Sequence, residues 1–169
     1  MGDAFGTGAS LINLGFVAYH AGNLEQAYRY ANDAYAAFKA INNSRVLTYP
    51  ITLFGRIAQD KGDYNLALSR YQEALKLANS INYTPKVLNI IFEMATLLAD
   101  LGDAETAVTL ITLVQAQTQT DQETQKRIDP AIKQLSAKIK PDLLIKSHQK
   151  GSTWTLAAAI SFLLAYMLK

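Results

Sequence analysis

Apolar residues recur along most of this chain with the period of an α-helix. In the middle of the sequence, Leu68, Tyr71 and Leu75 are spaced so that one helix places all three on the same face. Similar stripes occur in successive segments on either side. They predict helices at residues 9–21, 24–40, 47–61, 64–80, 86–101 and 104–118. We therefore expect an all-α fold.

The predicted helices belong to a repeat of forty residues. Residues 14–27, 54–67 and 94–107 align without a gap. Each segment contains a small residue, a glycine and an alanine, at Gly15/Gly55/Ala95, Gly22/Gly62/Gly102 and Ala27/Ala67/Ala107. Self-similarity at a fixed period indicates a repeat protein. We assign three repeats to residues 1–120, at about 8–41, 48–81 and 88–120.

Each recurring position has a physical reason. The small residues allow the second helix of a repeat to approach the first closely. The glycines stand where a helix must end with a positive φ, which glycine adopts at the lowest cost. The Asn or Asp after each glycine is predicted to cap the next helix, at Asn23, Asp63 and Asp103. Pro50 is expected in the first turn of its helix, where a missing N–H is harmless.

The combination of a small residue, a glycine before the turn and an alanine in the second helix resembles the tetratricopeptide repeat over about residues 8–115. The resemblance implies a right-handed superhelix of helix-turn-helix repeats. Two features differ from the family. The period is forty residues instead of about 34, and the family's tyrosine partway along the first helix is replaced by Ala18, Ala58 and Leu98.

A narrower resemblance rests on the long period, the apolar run at residues 110–114 and the polar segment at 122–127. These features look like the C-terminal repeats of large bacterial regulators, in which an ATPase module precedes a sensor built from repeats. On this resemblance the chain is the sensor end of a longer signal-transduction protein or transcriptional regulator.

Residues 121–169 are expected to form C-terminal capping helices, because a terminal repeat exposes the face that a neighbour would cover. Asp129 is predicted to cap a helix that begins at Pro130 and ends near residue 140. Alternatively, this helix continues from Gln122 and is kinked at the proline. A further short helix is predicted from Pro141 to Lys150, ending at Gly151.

Residues 151–168 carry no charge and are rich in apolar side chains. A run of this length is just sufficient to cross a bilayer as a helix, which would make residues 153–168 a membrane anchor. Leu156, Ile160 and Leu163 also recur at helical spacing, as in a helix with one face on a protein core. We favour a capping helix at 153–168, with a membrane anchor and a homodimer contact as alternatives.

Composition and charge narrow the class of protein. Half of the 169 residues are hydrophobic and 18% are charged, which excludes a disordered chain, and the absence of cysteine excludes disulfides and thiolate metal sites.

Residues 126–150 carry seven basic and two acidic side chains, whereas residues 1–125 carry eight basic and twelve acidic ones. The basic segment is suited to phosphates or anionic lipid, although a solvated helix face is the favoured interpretation. We see no signal peptide and expect a cytoplasmic protein, with membrane association through the last helix as the alternative.

Motifs for catalysis are weak. Gly6-Thr7-Gly8 resembles part of a phosphate loop but lacks the lysine, the third glycine and the preceding strand. His20 is interpreted as an exposed or helix-capping residue, and His148 as part of a solvated face. We therefore expect no enzymatic activity, no cofactor, no metal site and no nucleic-acid partner.

The remaining candidate for function is the surface shared by the first helices of the repeats. In stacked helix pairs these helices line a concave side that commonly binds peptides or partner helices. The resemblance places eleven residues there: Asn13, Phe16, Tyr19 and His20, then Tyr49, Thr52, Arg56 and Gln59, then Phe92, Glu93 and Thr96.

Aromatic side chains with an arginine are typical of binding hot spots. We therefore predict a protein-interaction or sensor module for a protein or peptide partner. The alternative is a repeat adaptor tethered to a membrane by residues 153–168. A simpler interpretation of Phe16 and Phe92 is that they pack between repeats.

Overall fold

The computed structural model describes residues 3–168, and over this range it is helical with no β-strand. The helices are α1 (Ala4–His20), α2 (Leu24–Ala40), α3 (Ser44–Asp60), α4 (Tyr64–Ser80), α5 (Thr84–Asp100), α6 (Ala104–Gln115), α7 (Gln122–Ser136), α8 (Pro141–Thr153) and α9 (Leu156–Ala165). The prediction of an all-α fold is confirmed. Helices α1–α4 form one compact unit and α5–α9 a second, which we call unit 1 and unit 2; the division falls between Tyr83 and Thr84.

The turn inside each predicted repeat has the same geometry three times. Its glycines have φ angles of 78°, 77° and 90°, at Gly22, Gly62 and Gly102 respectively. The Asn or Asp after each glycine accepts a hydrogen bond from the backbone N–H three residues later. Its own N–H donates to the carbonyl five residues earlier, at 2.9 Å in each case. The side-chain bond caps the helix that follows, and the backbone bond closes the preceding helix at its left-handed glycine. The predicted glycine conformations and N-caps are therefore confirmed.

Helix α3 begins earlier than the sequence pattern predicts. Asn42 adopts a left-handed φ of 51°, and the Asn43 side chain accepts a hydrogen bond from the Arg45 N–H at 3.1 Å. Asparagine tolerates the left-handed region better than most residues, so the turn is short and the helix starts at Ser44. Pro50 therefore lies inside α3. The prediction that it lies in the first turn is wrong.

Unit 1 is packed around small residues. Ala27, Ala31 and Ala34 of α2 are fully buried and belong to one core cluster with Leu53 of α3. Gly55 lies so close to α4 that a Cβ atom there would be 2.5 Å from the Tyr71 ring. The prediction that small residues allow close helix packing is confirmed at this position.

In unit 2, α6 packs extensively against α5 and α8, and less against α7. Gly151 is buried inside α8, and a Cβ atom on it would overlap the Thr109 carbonyl of α6. The prediction that α8 ends at this glycine is wrong, because the glycine allows close packing instead. His148 is half-buried, with its Nδ1 atom 2.8 Å from the Thr112 hydroxyl, so its assignment to a solvated face is also wrong.

Helix α7 begins at Gln122 and contains Pro130 in its interior. Its N-cap is Asp121, whose carboxylate accepts a hydrogen bond from the Thr124 N–H at 2.8 Å. Of the two predicted alternatives, the continuous helix from Gln122 is the one observed, and the cap predicted at Asp129 is wrong. The helix ends at Ser136, four residues before the predicted end.

The last helix, α9, is shorter than predicted. Helix α8 extends to Thr153, and Thr155 then caps α9 by accepting a hydrogen bond from the Ala158 N–H. Helix α9 therefore has ten residues instead of spanning 153–168. In residues 3–168 no helix combines the length and the apolar character needed to cross a bilayer.

Candidate functional site

Three of the residues predicted for the concave surface lie together in unit 1. The guanidinium carbon of Arg56 is 5.6 Å from the centre of the Phe16 ring and 6.0 Å from that of Tyr19. Arg56 is only 5% exposed, and both rings are half-buried. Asn13 and His20 are exposed, and the His20 ring meets Tyr19 edge-on at 5.5 Å. This part of the predicted site is a packed cluster with two exposed neighbours.

The other predicted residues of α3 contact their own unit. The Tyr49 hydroxyl is 2.8 Å from the Tyr83 hydroxyl. Thr52 is 1% exposed and donates a hydrogen bond to the Thr48 carbonyl. Gln59 accepts a hydrogen bond from the Tyr71 hydroxyl at 2.9 Å. These contacts stabilise the packing of α3 within unit 1.

The predicted residues of α5 lie in unit 2. Phe92 and Glu93 are each 1% exposed. The Glu93 carboxylate accepts hydrogen bonds from both terminal nitrogens of Arg127 on α7, at 2.5 and 3.2 Å. The guanidinium carbon of Arg127 is 4.7 Å from the centre of the Phe92 ring, and the half-buried Thr96 donates to the Glu93 carbonyl. Arg127 of α7 thus contacts Phe92 and Glu93, two of the three α5 residues that the sequence assigned to a ligand-binding surface.

A second polar connection holds the start of α7 to α5. Lys86 donates to the Asn89 side chain at 3.0 Å, and Asn89 donates to the Thr124 hydroxyl at 2.9 Å. All three residues are buried. Buried polar groups are stable where they are hydrogen-bonded to one another, so this chain of bonds specifies where α7 lies on α5.

An open pocket that the sequence pattern did not predict lies in unit 1, where residues of α2, α3 and α4 meet. Its volume is about 340 Å³. The centre of the Phe54 ring is 5.2 Å from that of Tyr28 and 6.3 Å from that of Tyr35. Leu66 and Arg70 line it from α4. We call this cavity the α2–α4 pocket.

The α2 helix positions the two tyrosines by its periodicity. Tyr28 and Tyr35 are two turns apart and therefore share one face with Asn32. That face is next to the buried alanines that attach α2 to the core. The spacing of the two tyrosines was the available signal in the sequence. The prediction of a concave surface used the first helices of the repeats and therefore left out the α2 residues that line this pocket.

The charges around the α2–α4 pocket are mixed. The Arg70 guanidinium lies 5.9 Å from the centre of the Phe54 ring and forms an ion pair with Glu73 at 2.8 Å. Lys61 and Asp63 contribute one charge of each sign. The pocket therefore offers aromatic rings, phenol hydroxyls and a guanidinium, which suit a partner's apolar or amphipathic side chain.

A second cavity, of about 450 Å³, lies in unit 2 beside the turn between α5 and α6. Its lining includes Asp103, Phe162 and Tyr166. Burial, and to a lesser degree the Asp103 carboxylate, raise the pKa of the Tyr166 hydroxyl. The Asp103 carboxylate already caps α6 by accepting a hydrogen bond from the Thr106 N–H. The neutral form of the phenol is thus favoured beside a carboxylate that already has a structural role.

Within residues 3–168, no three His, Asp or Glu side chains lie close enough together to hold a metal ion. Comparison with known protein families, with curated proteins and with solved structures found no match to this chain.

Proposed function

We propose that this chain is a protein-interaction module that holds a protein or peptide partner in the α2–α4 pocket. The observation that carries the proposal is the aromatic wall of this pocket. Tyr28 is 50% exposed while its ring packs against Phe54. A large ring held rigidly at the surface contributes contact area to a partner at a low entropic cost. Tyrosine and arginine are also among the residues that dominate binding energy at interfaces.

The size of the pocket supports a macromolecular partner. Its volume of about 340 Å³ is at the low end of the range for small-molecule pockets. A few bulky side chains of a peptide would occupy such a space, with the peptide backbone lying across the rim. Asn32 and Lys61 line the pocket and are exposed, so they are available to hydrogen-bond that backbone.

The repeat pattern supports the same class of function. Stacked helix pairs present rigid surfaces on which peptides and helices bind, and the forty-residue period resembles such a family. Of the two surfaces in unit 1, the α2–α4 pocket is the better candidate. Its Tyr28 ring is exposed, whereas Phe16 and Tyr19 are half-buried and Arg56 is buried against them.

The proposal is tested by selecting short peptides from a displayed random library on the full chain. The selected peptides should bind the Tyr28→Ala variant about tenfold or more weakly than they bind the wild-type chain, as expected for an interface hot spot. Arg70→Ala should weaken them as well. The matched control is Val17→Ala, which removes a 66% exposed apolar side chain that does not line the pocket.

Two results would overturn the assignment. One is a peptide whose dissociation constant is unchanged by Tyr28→Ala and Arg70→Ala but rises with His20→Ala, which would place binding on the first-helix surface. The other is the failure of repeated selections to enrich any peptide above the background of an unrelated helical protein.

A further inference from the structure

Four exposed lysines accompany α8 in unit 2. Lys138 and Lys140 precede the helix, and Lys146 and Lys150 lie one turn apart on it. None of the four forms an ion pair within residues 3–168. Residues 138–150 contain a single acidic side chain, so the segment carries a net charge of +3. Such a charge density attracts anions.

An exposed apolar residue lies among these lysines. Ile145 is 58% exposed and shares the outward side of α8 with Lys146 and Gln149. At the end of the helix, the Lys150 ammonium lies 4.9 Å from the centre of the half-buried Trp154 ring. Lysines combined with an exposed apolar residue on one side of a helix are typical of helices that lie at membrane surfaces.

We propose that this basic segment, which contains Lys138, Lys140, Ile145, Lys146 and Lys150, binds the surface of a membrane containing anionic phospholipid. Each ammonium close to an anionic bilayer increases the affinity about fivefold at moderate salt. Ile145 then enters the boundary between headgroups and acyl chains. The proposal concerns unit 2 and is independent of peptide binding at the α2–α4 pocket.

Two observations favour lipid over nucleic acid as the anion. The exposed basic side chains of unit 2 are all lysines. The one arginine in residues 84–169 is Arg127, and it binds Glu93. In addition, the Trp154 ring contacts Lys150 and packs against Phe162 with ring centres 5.5 Å apart. Single-stranded nucleic acids need an open aromatic face for base stacking, which this ring does not offer.

The test uses the full chain and vesicles of phosphatidylcholine, with or without phosphatidylserine, in a flotation assay. We expect binding only to vesicles that contain phosphatidylserine, and weaker binding as salt is raised. The double variant Lys146→Gln/Lys150→Gln should bind on the order of twentyfold more weakly. Ile145→Ser, which leaves the charge unchanged, should also weaken binding.

The matched control is Lys39→Gln/Lys76→Gln, which removes two exposed lysines from unit 1. It should bind vesicles like the wild-type chain. Equal loss in the control and in the α8 variant would show that only net charge matters and would overturn the proposal. So would equal binding to both kinds of vesicle, or binding to single-stranded DNA with none to the anionic vesicles. Binding of the wild-type chain that stays constant as salt is raised would also contradict an electrostatic contact.

Discussion

The carboxylate of Glu93 on α5 accepts two hydrogen bonds from the guanidinium of Arg127 on α7, 34 residues later in the chain. The Glu93 side chain is 2% exposed and the Arg127 side chain 35%. Burying a carboxylate costs several kcal/mol unless it is paired. The Glu93–Arg127 ion pair therefore helps to fix the position of α7, together with the Asn89–Thr124 hydrogen bond.

Removing only one partner of the Glu93–Arg127 ion pair should destabilise unit 2 strongly. Arg127→Ala removes the guanidinium that donates two hydrogen bonds to the buried Glu93 carboxylate, and we expect a loss of about 3 kcal/mol in the free energy of unfolding. The double variant Glu93→Leu/Arg127→Met replaces both charges by apolar groups and should recover most of that loss. Urea unfolding of the three proteins measures both effects. A double variant as unstable as Arg127→Ala would contradict the argument.

The raised pKa of Tyr166 predicts a loss of stability in alkali. Because burial and Asp103 raise the pKa above its ordinary value of 10.0, the unfolded chain releases the phenolic proton first. The stabilising contribution is thus fully present below about pH 10 and disappears as the pH rises towards the folded-state pKa. Between about pH 8 and pH 11, the wild-type chain should lose more free energy of unfolding than Tyr166→Phe. Identical pH dependence in the two proteins would show that this phenol makes no such contribution.

Gly151 should be essential for the packing of α8 on α6. Its Cβ position overlaps the Thr109 carbonyl, so Gly151→Ala requires the two helices to separate. Overpacking of this kind costs about 1–3 kcal/mol. The neighbouring exposed Ser152→Ala is the control and should have little effect. Trp154 is the only tryptophan of the chain and lies at the end of α8, so its fluorescence reports this change directly.

Gly62 should respond to substitution for a different reason. It has a φ of 77°, and a Cβ atom there would meet nothing within 4 Å. The cost of Gly62→Ala is therefore backbone strain alone, about 1 kcal/mol. Gly62→Asn should cost less, because asparagine adopts this conformation more readily. Thermal unfolding of both variants gives the comparison, and an equal loss in the two would point to a cause other than φ.

Local features of the fold were predictable from the sequence because neighbouring residues produce them. The positive φ angles of Gly22, Gly62 and Gly102 follow from the helix ends that precede them. The caps at Asn23, Asp63 and Asp103 follow from the free N–H groups of the next turn. The position of Pro50 was not predictable in this way. The left-handed Asn42 makes α3 begin earlier than the apolar pattern indicated, so Pro50 lies inside the helix.

The candidate site was less predictable because residues far apart in the chain form it. Tyr28 and Tyr35 of α2 meet Phe54 of α3 and Arg70 of α4 only after the helices pack. Nothing in the spacing around Glu93 indicated that Arg127 would bind it.

The sequence by itself therefore determined that the chain is helical, that helices end at Gly22, Gly62 and Gly102, and that Asn23, Asp63 and Asp103 cap the helices that follow, since each depends on a few adjacent residues. Tertiary structure alone decided that α8 packs closely on α6, that α7 covers Glu93 and that an aromatic pocket opens beside α2. Those arrangements depend on how side-chain volumes and buried charges are accommodated between helices, and sequence spacing does not encode that directly.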